Sequence, residues 1–175
     1  MSSQRRPLTS RWLDLLYFIY FTTHIPATLL VDTNGLFSKL FDKPPYVLTA
    51  AADYYIETYN DPLFVDNKKT WFSALSYTEL LIQTPFFFYA AIGLWKDSPS
   101  IRLPFVVYST HVVTATGLCI AEFIFGTHEN GVSDQQRMSL ILFYLPYLIV
   151  PAICLVDSFM KLRKSEAVLL EKKDE

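Results

Sequence analysis

Four stretches of nearly unbroken apolar residues divide the chain, at 12–31, 71–95, 101–125 and 138–160, and charged residues return between them. Each stretch approaches or exceeds the roughly 20 residues that an α-helix needs to cross a hydrocarbon core. Lipid offers no partner to open backbone groups, and none of the four shows the alternation of a barrel strand, so each is read as helix. The pattern predicts an all-α, polytopic membrane protein: a single domain over 1–175, a four-transmembrane-helix bundle and a tail at 161–175. The first connection is long enough to hold structure of its own. Within it, 44–59 (PPYVLTAAADYYIETY) opens on prolines suited to a first helical turn and continues with helix formers. This predicts a short lumenal helix at the interface, with Tyr46, Tyr54, Tyr55 and Tyr59 in the aromatic belt. The following AsnAspProLeu reads as a turn, where Asp61 is ordinarily a turn or cap residue.

The second stretch departs from the apolar pattern at one costly position, Glu79. A charge within hydrocarbon costs at least about 2.5 kcal/mol, so such a residue faces a protein interior, finds a partner or does chemistry. Gln83 lies one turn later on the same face, and Pro85 then removes a backbone donor and predicts a kink. In the first stretch His24, Thr28 and Asp32 fall on one stripe, about 12 Å long at 1.5 Å per residue, and Pro26 is expected to bend it. A lone His is more often a hydrogen-bonded core group, and an Asp at a helix end can simply mark the boundary. Two polar stripes in two spans point instead to a shared cavity.

Charge sets the expected orientation. Of the 15 Lys and Arg, Arg5, Arg6, Arg11, Lys96, Arg102, Lys161, Arg163, Lys164, Lys172 and Lys173 fall on one side of a four-span arrangement, which places both termini in the cytosol. The other five, Lys39, Lys43, Lys68, Lys69 and Arg137, fall in the first and third connections. The first stretch follows Arg5, Arg6 and Arg11 but is longer than a signal-peptide core and lacks a small-x-small site, so it is expected to be retained. The tail ends LysLysAspGlu, and Lys172 and Lys173 have the spacing of a dilysine retrieval signal, which predicts the endoplasmic reticulum membrane.

Several function classes drop out. The two cysteines, Cys119 and Cys154, both lie inside spans, which gives no disulfide framework. His24, His111 and His128 have no recognised ligand spacing, so no metal is expected, and no cofactor motif occurs. No basic patch with interleaved aromatics suggests nucleic acid. Glu122 reads as an interfacial acid and Asp157 as an acid reaching the headgroups, while His111 shares a face with Tyr108.

HIPATLLVD (24–32), NDPL (60–63), WFSALSYTELLIQTPFF (71–87), VYSTH (107–111) and FYLPYLIVP (143–151), in this order and spacing, resemble the sigma-2 receptor family of the EXPERA group. The group also holds the emopamil-binding sterol isomerase. The resemblance implies a homodimeric four-helix protein of the endoplasmic reticulum with a pocket for sterols, lipid-like molecules and cationic amphiphilic drugs, active in sterol and lipid homeostasis. It implies that Asp32 pairs with a ligand amine and that Asp61 hydrogen-bonds to Asp32. His24, Glu79, Gln83, Tyr108 and Tyr147 then lie in or near the pocket, and Phe72, Phe86, Phe87 and Phe143 are candidate walls. An ammonium on an apolar scaffold wants one buried counter-charge and aromatic area, which agrees with that set.

The same resemblance carries an alternative, a sterol double-bond isomerase using His24 and Glu79 as acid and base. The isomerase places a second carboxylate one turn after its His, where this chain has Thr28. That departure counts against catalysis. A further alternative is a quality-control or scaffold protein that contacts other membrane proteins.

Overall fold

The computed structural model describes residues 5–32, 46–65, 69–127 and 131–173, with the side chains of residues 31, 32, 47 and 48 outside the description. The described residues are helical, with no strand among them. A short 3-10 turn, Leu8–Ser10, leads into α1 (Trp12–Ala27), which continues into a π turn, Thr28–Asp32. α2 (Tyr46–Tyr59) and the single-turn α3 (Pro62–Val65) follow. α4 (Thr70–Thr78) passes through a second π turn, Glu79–Gln83, into α5 (Thr84–Trp95). α6 (Arg102–Phe125) and α7 (Asp134–Glu171) complete the chain. Among the described residues three helical segments are long and apolar enough to cross a membrane: Trp12–Leu30, Pro99–Phe125 and Asp134–Glu171. The expected span at 71–95 is helical throughout, as α4, the π turn and α5 in succession, and is not among those three.

The second π turn follows from proline: Pro85 lacks an N–H and crowds the Leu81 carbonyl four residues back, inside that turn, so the local helix widens rather than closes its normal bonds. Pro26 lies inside α1, just ahead of the first π turn. At the second turn the Thr84 N–H reaches the Glu79 carbonyl, five residues earlier, and Thr84 Oγ1 donates to the same oxygen at 2.9 Å. The two π turns touch each other across the bundle.

α6 and α7 form the most extensive pair and α1 packs along α5. One core cluster joins Tyr17, Phe21, Phe87, Leu94, Ile101 and Phe105; a second joins Leu63, Cys119, Phe123 and Leu140. The turn between α5 and α6 closes on Gly93, where an added Cβ would stand 2.1 Å from Ile101 Cγ2. Ile101 is itself buried and has nowhere to move. Gly93→Ala is therefore expected to cost about 1–3 kcal/mol by overpacking. Thermal unfolding in detergent checks this, and adding Ile101→Ala should make the pair cost less than the sum of the two single changes.

One end of the bundle carries a charged network that ties four helices together. Asp14, buried in the first turn of α1, accepts from Arg11 Nη1 at 2.6 Å and from Arg102 Nη2 at 2.9 and 3.0 Å. Arg11 Nη2 also donates to the Leu94 carbonyl at the end of α5, at 2.9 Å. Lys161 of α7 lies 2.8 Å from Asp157 and 3.7 Å from Asp14. The start of α1 and the later part of α7 therefore share one end of the molecule. Outside the network proper, Arg6 grips Asp97 through Nε at 2.9 Å and Nη2 at 3.0 Å, and this hydrogen bonding holds the Asp97 carboxyl down to about 2.

The structure adds to or changes the sequence expectations at several positions. α7 does not stop at 160; it runs 38 residues to Glu171, about 57 Å, because KLRKSEAVLLE is rich in helix formers and Lys161 pairs with Asp157 at i,i+4. The residues expected as tail are thus helical up to Glu171. Asp157 pairs with Lys161 and lies 3.8 Å from Arg102. Tyr55 leaves the expected aromatic belt and turns inward, whereas Tyr46 and Tyr54 are exposed; Pro44 lies outside the described residues. His111 does not share the buried face of Tyr108 and points outward from α6. Glu122 forms an ion pair with Lys69 that joins the chain just before α4 to the far end of α6.

Candidate functional site

A cavity lies beside the second π turn, walled by α1, α2, α4, α6 and α7. Glu79 lies in the second π turn and aims its carboxylate across at α1, where Thr28 Oγ1 donates to Oε1 at 2.8 Å. Thr28 is fully buried behind the cavity. His24 Nε2 stands 3.6 Å from the same oxygen, too far for a good hydrogen bond but close enough for an ion pair when the imidazole is protonated. The His24 ring stacks on Phe87 with centroids 4.7 Å apart and meets the edges of Tyr147 at 4.8 Å and Tyr20 at 5.1 Å. Its Nδ1 is buried and has no hydrogen-bond partner among the described residues. Gln83, one turn beyond Glu79, also lines the cavity, as do Phe72, Phe143 and Tyr147.

Asp61 occupies a second polar position next to this space. It caps the first turn of α3 by accepting from Leu63 N at 2.9 Å, with Pro62 at the first helical position where no N–H is needed. Asn60 takes the left-handed conformation, φ 48°, that lets α2 turn directly into this cap. The other Asp61 oxygen accepts from Tyr55 Oη at 2.7 Å and Tyr144 Oη at 3.0 Å. Asp61 is fully buried, and its two tyrosine partners form part of the cavity wall. The side chain of Asp32 lies outside the described residues, so its place relative to Asp61 is not among these observations.

The structure thus brings His24, Glu79, Gln83, Phe72, Phe143 and Tyr147 onto one cavity and puts Asp61 one tyrosine away. Tyr108 is not among the lining residues. It packs one layer deeper, stacked on Phe86 at 4.8 Å with its hydroxyl 3.3 Å from that of Tyr20. Phe86 lies with Tyr108 in the first core cluster, and Phe87 is fully buried beneath His24. Lys172 and Lys173 are exposed just past the end of α7. Reading the sequence missed Tyr55, Tyr144, Thr116 and Cys119 as wall residues. Tyr144 was recoverable from spacing, three residues before Tyr147 on one helical face. Thr116 and Cys119 continue the Val112 face of α6 by the same rule.

The cavity holds about 140 Å³ open to the centre of a water-sized sphere, roughly ten times what one water needs on that measure. Its walls are mainly aromatic and aliphatic, with His24, Glu79 and Gln83 as convergent polar groups, a make-up that small-molecule sites share. Chemically, it can seat an apolar body and hold one polar or cationic end at Glu79. The His24 and Glu79 pair also has the groups, though not the contact distance, of an acid–base couple.

By its fold and cavity this is a helical membrane protein with an aromatic-lined cavity between its helices. The profile of the EXPERA family, the expanded EBP superfamily, matches residues 47–158, and the chain belongs to that family. Among curated relatives it is 33% identical over 153 residues to sigma intracellular receptor 2 of Xenopus tropicalis, covering 84% of this chain and 88% of that protein. Sigma intracellular receptor 2 of Homo sapiens is 30% identical over 159 residues, covering 86% and 89%. Efficient mitochondria targeting-associated protein 19 of Schizosaccharomyces pombe is 30% identical over 164 residues, covering 91% and 81%.

Proposed function

We propose that this protein binds sterols or lipid-like small molecules, and cationic amphiphiles, in the cavity between its helices, as a non-enzymatic receptor of the endoplasmic reticulum membrane acting in sterol and lipid homeostasis. The observation that carries the reading is the cavity itself: an aromatic and aliphatic space with the Glu79 carboxylate and the Gln83 amide at one side and the Asp61 carboxylate behind its tyrosine wall. Membership of the EXPERA family and similarity to sigma intracellular receptor 2 support it. In this reading 70–95 is the fourth transmembrane helix, since α4, the π turn and α5 together measure about 39 Å, and α2 lies on the lumenal side. The charged network at the shared end of α1 and α7 supports both termini on one face of the membrane. A homodimer or another membrane protein is the expected protein partner, and His111 on the outward face of α6 is a polar group such a contact would cover.

The test is saturable binding of a radiolabelled cationic amphiphile to purified protein, with sterols as competitors, in wild type and Asp32→Asn. Binding that is lost in the folded variant and displaced by sterols is the expected result. Folded wild-type protein that binds neither class overturns the reading. The isomerase alternative draws on the proximity of His24 to Glu79, but the Glu79 oxygen facing His24 already accepts from Thr28. Conversion of a sterol double bond that disappears in Glu79→Gln would favour it.

A further inference from the structure

The two halves of the helical run over 70–95 are held very differently. α5 is fastened: Thr84, Phe87, Ala90, Gly93 and Leu94 are buried, and Arg11 grips the Leu94 carbonyl. α4 has no buried residue at all. Its inward positions, Phe72, Leu75 and Ser76, continue at helical spacing to Glu79 and Gln83, and all five line the cavity, Phe72 also packing against the edge of the second core cluster. Among the described residues its most extensive packing is on the π turn into which it runs. At its other end it is held by the Lys69–Glu122 ion pair to α6 and by an edge contact of Phe72 with Phe64, centroids 5.3 Å apart.

A helix that walls a cavity, packs on little else, and joins a fastened helix through a widened turn is built to move as one piece. π turns lack the regular i→i−4 ladder and accommodate bending at small cost. We propose that α4 is a swinging wall, hinged at the Glu79–Gln83 π turn and latched by Lys69–Glu122, and that an apolar ligand passes sideways between α4 and α6. This rests on reading the cavity as a ligand site. The latch is selective in what it controls: it sits at the tip of α4, far along the helix from the hinge, so breaking it frees the wall without touching the polar groups of the cavity.

Cys119 supplies a reporter that needs no ligand. It lines the cavity on α6, opposite α4, and is 5% exposed, so a thiol reagent reaches it only when the wall opens. Cys154, 2% exposed in the other core cluster, is an internal control. The experiment follows alkylation by N-ethylmaleimide at each cysteine by mass spectrometry, using the full chain in nanodiscs. Glu122→Gln and Lys69→Gln should each speed labelling of Cys119 by about two- to fivefold, the range set by a partly exposed ion pair, with Cys154 unchanged. The charge-swapped pair Lys69→Glu with Glu122→Lys should return Cys119 to the wild-type rate. Equal Cys119 rates in wild type and latch variants overturn the proposal, as does equal acceleration at Cys154 or failure of the swap to restore. In parallel, association and dissociation of the labelled amphiphile should rise by the same factor. Changed Cys119 rates without any ligand binding would leave the moving wall standing and remove the ligand reading; ligand binding with flat Cys119 rates would do the reverse.

Discussion

Asp14→Ala is expected to cost about 3–5 kcal/mol of folding free energy, because it removes the one acceptor that two buried guanidinium groups share. Arg11 and Arg102 are each 8% exposed, and both point at this carboxylate. With alanine there, Arg102 keeps only Asp157 at 3.8 Å and Arg11 keeps Asp97 at 3.3 Å and the Leu94 carbonyl. The loss falls on the junction of α1, α5, α6 and α7, so it should appear as a lower unfolding temperature in detergent and as aggregation on size exclusion. Lys161→Ala is the control: Lys161 is 43% exposed, and its pair should be worth less than about 1 kcal/mol. The network need not be a net stabiliser. Replacing Asp14, Arg11 and Arg102 together by apolar residues of similar volume is expected to recover most of the loss, since the cost lies in stranded charge more than in the missing bond. An Asp14→Ala protein that melts with wild type would show that the arginines are solvated where they stand.

This network also marks where sequence reading stops. Asp14 comes two residues after Trp12, at the edge of an apolar stretch, and its partner Arg102 is 88 positions away. An acid at a helix edge has many ordinary explanations, and only the packing of α6 against α1 singles out this one. Glu79 was legible because a carboxylate deep in an apolar run has few. Its helical neighbour at i+4 and the prolines at 26 and 85 were legible for the same reason; the π turns near those prolines were not, and across them Glu79 meets Thr28. Tyr55 fared differently. Composition put it in an aromatic belt with Tyr54, and one step of helical phase decides between them: Tyr55 turns toward Asp61, while Tyr54 stays 70% exposed. The same one-step phase error placed His111 with Tyr108. Apolar residues on every side of a membrane helix blur the face that a soluble amphipathic helix would announce, so phase has to come from a polar anchor such as Asp61.

Asp61→Ala should cost about 2–5 kcal/mol and also deform the cavity, because the groups it abandons are the cavity's own wall. Among the described residues, Leu63 N at 2.9 Å, Tyr55 Oη at 2.7 Å and Tyr144 Oη at 3.0 Å donate to its carboxylate. Bonds to a charged acceptor are worth about 1.5–3 kcal/mol each, and they are not additive here, since all three share one side chain. The helix cap alone accounts for about 1 kcal/mol of the loss. Asp61→Asn separates the contributions: the amide keeps an acceptor for the cap and returns a donor toward the tyrosines, so it should retain most of the stability and lose only the charge. If Asp61 serves mainly to hold Tyr55 and Tyr144 in place, Asp61→Asn keeps ligand affinity nearly intact while Asp61→Ala weakens it in step with stability. If the negative charge at this position acts on a cationic ligand, Asp61→Asn loses affinity for the amine at a temperature where its fold matches wild type, and neutral sterol competitors are unaffected. Measuring both variants against an amine and a neutral sterol, with unfolding temperatures alongside, therefore separates a carboxylate that shapes the cavity from one that the ligand feels.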